Sequence, residues 1–176
     1  MPRRGGMMTN LEALKKTYLF QSLSDDHIET IMGLSKEKRF ESGEEIFQQG
    51  QSATTLHVLM DGSVAVRVGN GDETDIVANT LAEAGAVLGT ASLLAPFVYN
   101  VRAEALRHTR TLAIEASDLN KVMTGNPAMG FEVMSRLAHR YLRRLNTKRV
   151  SLMNLVKVFK SQIHKSQMYD TYMETV

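Results

Sequence analysis

RFESGEEIFQQGQSATTLHVLMDGSVAV, residues 39–66, decides the fold. Gly43, Gly50 and Gly62 divide it into short runs rich in Ile, Phe, Leu and Val, each of strand length and each bounded by a turn signal. The texture continues downstream: EEIFQQG, TLHVLMDG, SVAVRVGNG, TDIVANTLAEAG, NVRAEAL and RTLAIEA recur every 8 to 15 residues between Arg39 and Glu115. That spacing, with no long helix between the runs, predicts an all-β barrel or sandwich and disfavours a doubly wound parallel sheet. RVGNGDETDIV reads as a hairpin closed by an Asn-Gly turn, with Val64, Val66 and Val68 on one face.

Helices flank this β region. Upstream, LEALKKTYLFQSLSDDHIETIMGLS predicts two short helices, the second capped by Ser24, carrying Asp25 and Asp26 in its first turn and stopped near Gly33. Residues 1–10 are expected to be a disordered leader, because the two arginines of MPRR are not followed by the apolar run of a signal peptide. Downstream, Ser117 is the expected N-cap of SDLNKVM, and Asn126 with Pro127 opens a longer helix. The chain therefore divides into a leader, a β domain with helical lead-in over 11–125 and a helical segment over 126–176.

That segment contains no Pro or Gly after Gly130, and Phe131, Met134, Ala138, Tyr141, Leu145, Leu152, Leu155 and Phe159 recur three and four apart, with Lys148 the polar break. The pattern is a coiled-coil seam of about four heptads and predicts a dimer helix. Charge separates in the same way: residues 1–126 carry 12 Lys/Arg against 16 Asp/Glu, and residues 127–176 carry 9 against 3. RLAHRYLRRLNTKR has two readings, a phosphate-binding stripe or the solvated flanks of the dimer seam.

Composition removes several function classes. With no cysteine among 176 residues, disulfides, thiolate nucleophiles and cysteine-ligated metals are excluded. No apolar run reaches the roughly 18 residues of a membrane helix. His57, in a strand-like run, reads as a structural histidine rather than a metal ligand, and neither a triad nor a nucleophile elbow supports an enzyme. A cytoplasmic location is expected.

GAVLGTASLLAPFVYNVRA, residues 85–103, places a short helix candidate after a glycine turn. Together with LFQSLSDDHIETI, the opening stretch and VRAEALRHTRTLAIEASDLNKVM, it resembles the cyclic nucleotide-binding domain of catabolite-activator and FNR-type regulators over residues 18 to about 160. The resemblance implies a mainly β fold, a double-stranded β-helix or jelly-roll-like β-roll with flanking helices, followed by a long C-terminal dimerisation helix. It implies cyclic AMP or cyclic GMP as the ligand class, held at a phosphate-binding cassette. In that cassette Gly89, Ala91, Ser92 and Leu93 match, but Thr90 stands at the glutamate and a non-basic residue between Phe97 and Asn100 at the arginine. Losing both charged partners weakens binding by orders of magnitude, since each is worth about 1.5–3 kcal/mol.

The candidate ligand contacts are Gly89, Thr90, Ala91, Ser92, Asn100, Val101 and Arg102, with Asn146 and Thr147 on the long helix where the resemblance puts the nucleotide base. Arg102 either replaces the missing arginine from one pleat further along or pairs with Glu104 or an acid of the long helix. Two functions follow. One is a stand-alone sensor domain that binds a small, anionic or nucleotide ligand in the roll and signals through its long helix. The other is a ligand-free dimeric module, its pocket filled by Phe97, Val98 and Tyr99, acting on a protein partner or anionic surface. Specific DNA reading is not expected, because no helix-turn-helix pattern follows the long helix.

Overall fold

The computed structural model describes residues 9–69 and 76–173, the stretch 161–173 as backbone. The expected Asn-Gly turn and the leader over residues 1–8 lie outside the described residues. The helical lead-in consists of α1 (Asn10–Lys16), capped by Thr9 in a reciprocal pair with Glu12, and α2 (Asp25–Leu34), whose N-cap is Ser24 as expected. Helix α2 continues past Gly33, and Ser35 is its C-cap.

Eight strands follow: β1 (Ser35–Phe40), β2 (Glu45–Phe47), β3 (Thr55–Asp61), β4 (Val64–Val68), β5 (Ile76–Leu81), β6 (Val87–Leu88), β7 (Arg102–Ala105) and β8 (Thr109–Glu115). They form two four-stranded antiparallel sheets, ordered β1-β8-β3-β6 and β2-β7-β4-β5, the two leaves of a β-roll. Strand β1 lies outside the run of strands expected from the sequence, which began near Arg39. Its SKEKRF has no apolar alternation because it is an edge strand: only Phe40 is buried, while residues 35–40 pair in register with 114–109 of β8.

Strand β3 is buried on both faces from Thr55 to Met60. Its odd residue Leu59 joins Phe47, Ala53, Val64, Leu88, Tyr99 and Ala103 inside the roll. Leu56, Val58 and Met60 point the other way, toward the side on which α1 packs, and Leu14, Leu19, Phe20, Ile28 and Ile31 of the lead-in are fully buried. Burying such a set supplies about 1.5–3 kcal/mol per large side chain before entropy is counted.

After β8 the chain enters α3 (Ala116–Gly125) and α4 (Pro127–Met173). The N-cap of α3 is Glu115, not Ser117, and no side chain caps it: β8 runs straight into the helix, leaving Ser117 in the first turn. Asn126 caps α4 as expected, its Oδ1 accepting the Met129 N–H at 3.1 Å. Two compact units divide the chain, Met1–Met134 and Ser135–Val176. Along α4, Phe131, Leu145, Leu152, Leu155 and Phe159 of the expected seam are each more than half exposed, Ala138 is exposed, and Met134 and Tyr141 are half-buried.

Gly62 closes the β3–β4 turn at φ +108°, and a Cβ there would stand 2.3 Å from Thr109 Oγ1 and 2.5 Å from Thr109 Cα. Both the backbone conformation and the contact exclude a side chain. Gly62→Ala is therefore expected to lower unfolding free energy by about 2–4 kcal/mol, read from urea denaturation with an unchanged slope.

Candidate functional site

The segment between β6 and β7 is short and tightly bound to the roll. Gly89 (φ +77°) turns the chain into a 3₁₀ helix, Thr90–Leu93. A Cβ on Gly89 would lie 2.6 Å from the Thr55 carbonyl oxygen, so only glycine lets this turn press against β3. The chain then passes Phe97, held at φ +56°, and bridges Ser52 through Val98 before entering β7.

Tyr99 is the centre of the arrangement. Its ring stacks on Phe47 at 4.1 Å between centroids and 13° between planes, and only 5% of the residue is exposed. Its hydroxyl donates to the Thr55 carbonyl at 2.9 Å and accepts the Thr55 N–H at 3.1 Å. The main chain is equally fixed: Tyr99 N–H donates to Gln51 O, and Tyr99 O accepts from Gly50 N–H. Burial pushes the phenol pKa up, so the hydroxyl stays protonated and able to donate.

Among the sequence-predicted ligand residues, Gly89, Ala91 and Val101 gather around this tyrosine: Ala91 and Val101 pack on the cluster that contains it, and a Cβ on Gly89 would stand 3.4 Å from its ring. Ser92 is 1% exposed, and its Oγ meets no hydrogen-bond partner among the described residues. Thr90 is half-buried and Asn100 exposed. Of the three side chains expected to fill the roll, Tyr99 does so, whereas Phe97 and Val98 are 48% and 40% exposed.

Arg102 stands on the face of β7 opposite Ala103, which points into the roll. There its guanidinium pairs with Glu45 at 3.3 Å and Glu104 at 3.8 Å, and Arg67 meets Glu104 at 3.1 Å. The result is a charge network across β2, β7 and β4, on the side away from Tyr99. Asn146 and Thr147 belong to the second compact unit; both are exposed, and the Thr147 hydroxyl donates to the Arg143 carbonyl.

Sequence reasoning did not single out Phe47 or Thr55. A signal existed for them, because a tyrosine on the inward side of a strand needs a flat neighbour and a polar partner for its hydroxyl. His57 lies on the same face of β3, 97% buried between the rings of Phe40 and Phe47, with Nδ1 3.1 Å from Thr111 Oγ1. Burial, and secondarily Lys38, lowers its pKa to about 4.

Residues 37–126 match the cyclic nucleotide-binding domain family, and the chain belongs to it. A solved cyclic nucleotide-binding protein of Geobacter metallireducens GS-15 is 29% identical, with 78% of this chain covering 99% of that one at a TM-score of 0.66. The catabolite activator protein of Thermus thermophilus shares the fold at a TM-score of 0.68 and 23% identity, over 79% of this chain and 63% of that one. A curated relative named as a potassium channel protein, from Rhodopseudomonas palustris (strain ATCC BAA-98 / CGA009), is 24% identical over 143 residues, 81% of this chain. The chain spans 34% of that protein's length. No described helix is long and apolar enough to cross a membrane.

Two outcomes follow from these contacts. Tyr99→Phe keeps the stack but strands the Thr55 N–H and carbonyl, and a loss of about 1–3 kcal/mol is expected by chemical denaturation. The unfolded chain protonates His57 near pH 6.5 while the folded chain resists down to about 4. The unfolded state thus binds more protons in this window, so stability falls as pH drops from about 6.5 toward 4. His57→Gln is expected to flatten that part of the stability profile.

Proposed function

We propose that this chain is a regulatory domain whose roll is closed by its own tyrosine and which works as a homodimeric interaction module through α4, not as a micromolar receptor for cyclic AMP or cyclic GMP. The observation that carries the reading is Tyr99, stacked on Phe47 and bonded twice to Thr55 inside the roll. Three features support it. Thr90 occupies the glutamate position of the resembling cassette; the arginine position falls between Phe97 and Asn100, where no residue is basic; and Arg102 is already committed to Glu45 and Glu104. A nucleotide entering the roll would have to displace the ring, break both hydroxyl bonds and meet apolar side chains with its phosphate, a penalty of several kcal/mol that no unpaired cation of the described roll offsets.

The exposed apolar residues Leu145, Leu152, Leu155 and Phe159 supply the surface for self-association, and the exposed Arg143, Arg144, Lys148 and Arg149 flank it with positive charge for an acidic partner. A sensor reading is favoured by one observation, the buried Ser92 hydroxyl, which a small hydrogen-bonding ligand would satisfy. Calorimetric titration separates the two. The module reading expects no saturable heat with cyclic AMP or cyclic GMP at micromolar concentrations, together with a dimer mass by light scattering that falls to monomer in Leu145→Asp/Leu152→Asp. Micromolar nucleotide binding abolished by Ser92→Ala would establish the sensor instead.

A further inference from the structure

His27 of α2 and Asn126 at the start of α4 form a side-chain pair whose proton inventory is fixed by its surroundings. Asn126 Nδ2 lies 2.8 Å from His27 Nε2. The amide cannot be turned round, because its Oδ1 accepts the Met129 N–H at 3.1 Å and so caps α4. The atom facing His27 is then an NH₂, which only donates, and Nε2 must supply the lone pair. The bond therefore exists only with neutral imidazole carrying its proton on Nδ1. An imidazolium offers no acceptor, so protonation either breaks the contact or forces the amide over and removes the cap.

We propose that His27 and Asn126 form a proton-operated latch that ties α2 to the first turn of α4 when the imidazole is neutral and releases it when the imidazole is protonated. The elbow it fastens is tight: a Cβ on Gly130 would stand 3.0 Å from the Met123 carbonyl oxygen, so α4 leaves α3 at close range. Ser22 in the α1–α2 connection also donates to the Glu132 carboxylate on α4. Proton release of the latch therefore loosens α4 at its cap while leaving it tethered one turn further on.

The charged groups on α2 and on the elements that pack against it are the following. On α2 itself are Asp25, Asp26 and Glu29, of which Asp25 pairs with Lys15 of α1 at 2.7 Å. Helix α1 also carries Glu12, bonded to Thr9, and Lys16. On α3, Asp118 and Lys121 pair with each other. On β8, Arg110 pairs with Asp61 and Glu37, and Glu115 accepts from Thr55. Glu132 of α4 is held by Ser22. The excess of acids on the first turn of α2 gives the imidazolium somewhere to go, which helps release.

The inference stands apart from the proposed function, since it concerns neither the roll nor the dimer seam. Thermal unfolding of the full chain at about pH 8 and about pH 5.5 spans the range in which histidine changes charge. In His27→Gln a carbonyl accepts from Asn126 at either pH, so the wild type should lose about 2–4 °C more than this variant on acidification. His57 contributes equally to both and cancels. In Asn126→Asp the carboxylate still caps Met129 and now accepts from the imidazolium, so the difference from His27→Gln should change sign, acid stabilising the contact. Parallel pH profiles for wild type and His27→Gln, or an Asn126→Asp profile that follows the wild type, would overturn the proposal.

Discussion

The Tyr99 hydroxyl, shared between the N–H and the carbonyl of Thr55, fixes the geometry on which this structure depends. Tyr99 lies at the entry to β7 and Thr55 at the start of β3, so one side chain joins the two leaves of the roll. A polar group at that depth is costly unless it is satisfied, and here donor and acceptor are both met by one residue. The stack on Phe47 then extends the link to β2, and the bare backbone of Gly89 lets the 3₁₀ helix close over it.

A filled interior changes what the fold can do with charge. Sites that hold a phosphate in water-poor surroundings need a fixed cation or several converging N–H groups. In this chain the arginines of the second sheet are turned outward and neutralised by Glu45 and Glu104, where they clamp three strands together. The family's architecture is retained around an interior in which Tyr99 packs with Phe47 and their apolar neighbours. On α4 an apolar set and a basic flank are exposed.

Most of the fold was readable because its signals are local. Glycine-bounded apolar runs gave six strand regions, Ser24 and Asn126 gave helix starts, and three-four spacing gave the long helix. Strand β1 was not readable: an edge strand facing water carries the charges of a loop, and only its partner β8 makes it a strand. The cap of α3 failed for a related reason, since a helix that continues directly from a strand needs no capping side chain to change direction. At the site, the expectation that the charged pair is missing rests on Thr90 and on the absence of a base between Phe97 and Asn100. Which of three consecutive apolar residues turns inward was not legible, because that depends on the Val98–Ser52 bridge and on the positive φ of Phe97, both set by chain far away in sequence.

The most direct test of the account follows the Tyr99 ring itself, by aromatic carbon–proton NMR of protein labelled at tyrosine, with Tyr99→Phe used for assignment. If the ring is a permanent part of the core, its resonances stay in place and remain slow to flip as cyclic AMP is raised to a large molar excess. Saturable displacement of those resonances, with the ring becoming mobile, would mean that Tyr99 is a gate over a working nucleotide site, and the account would be wrong.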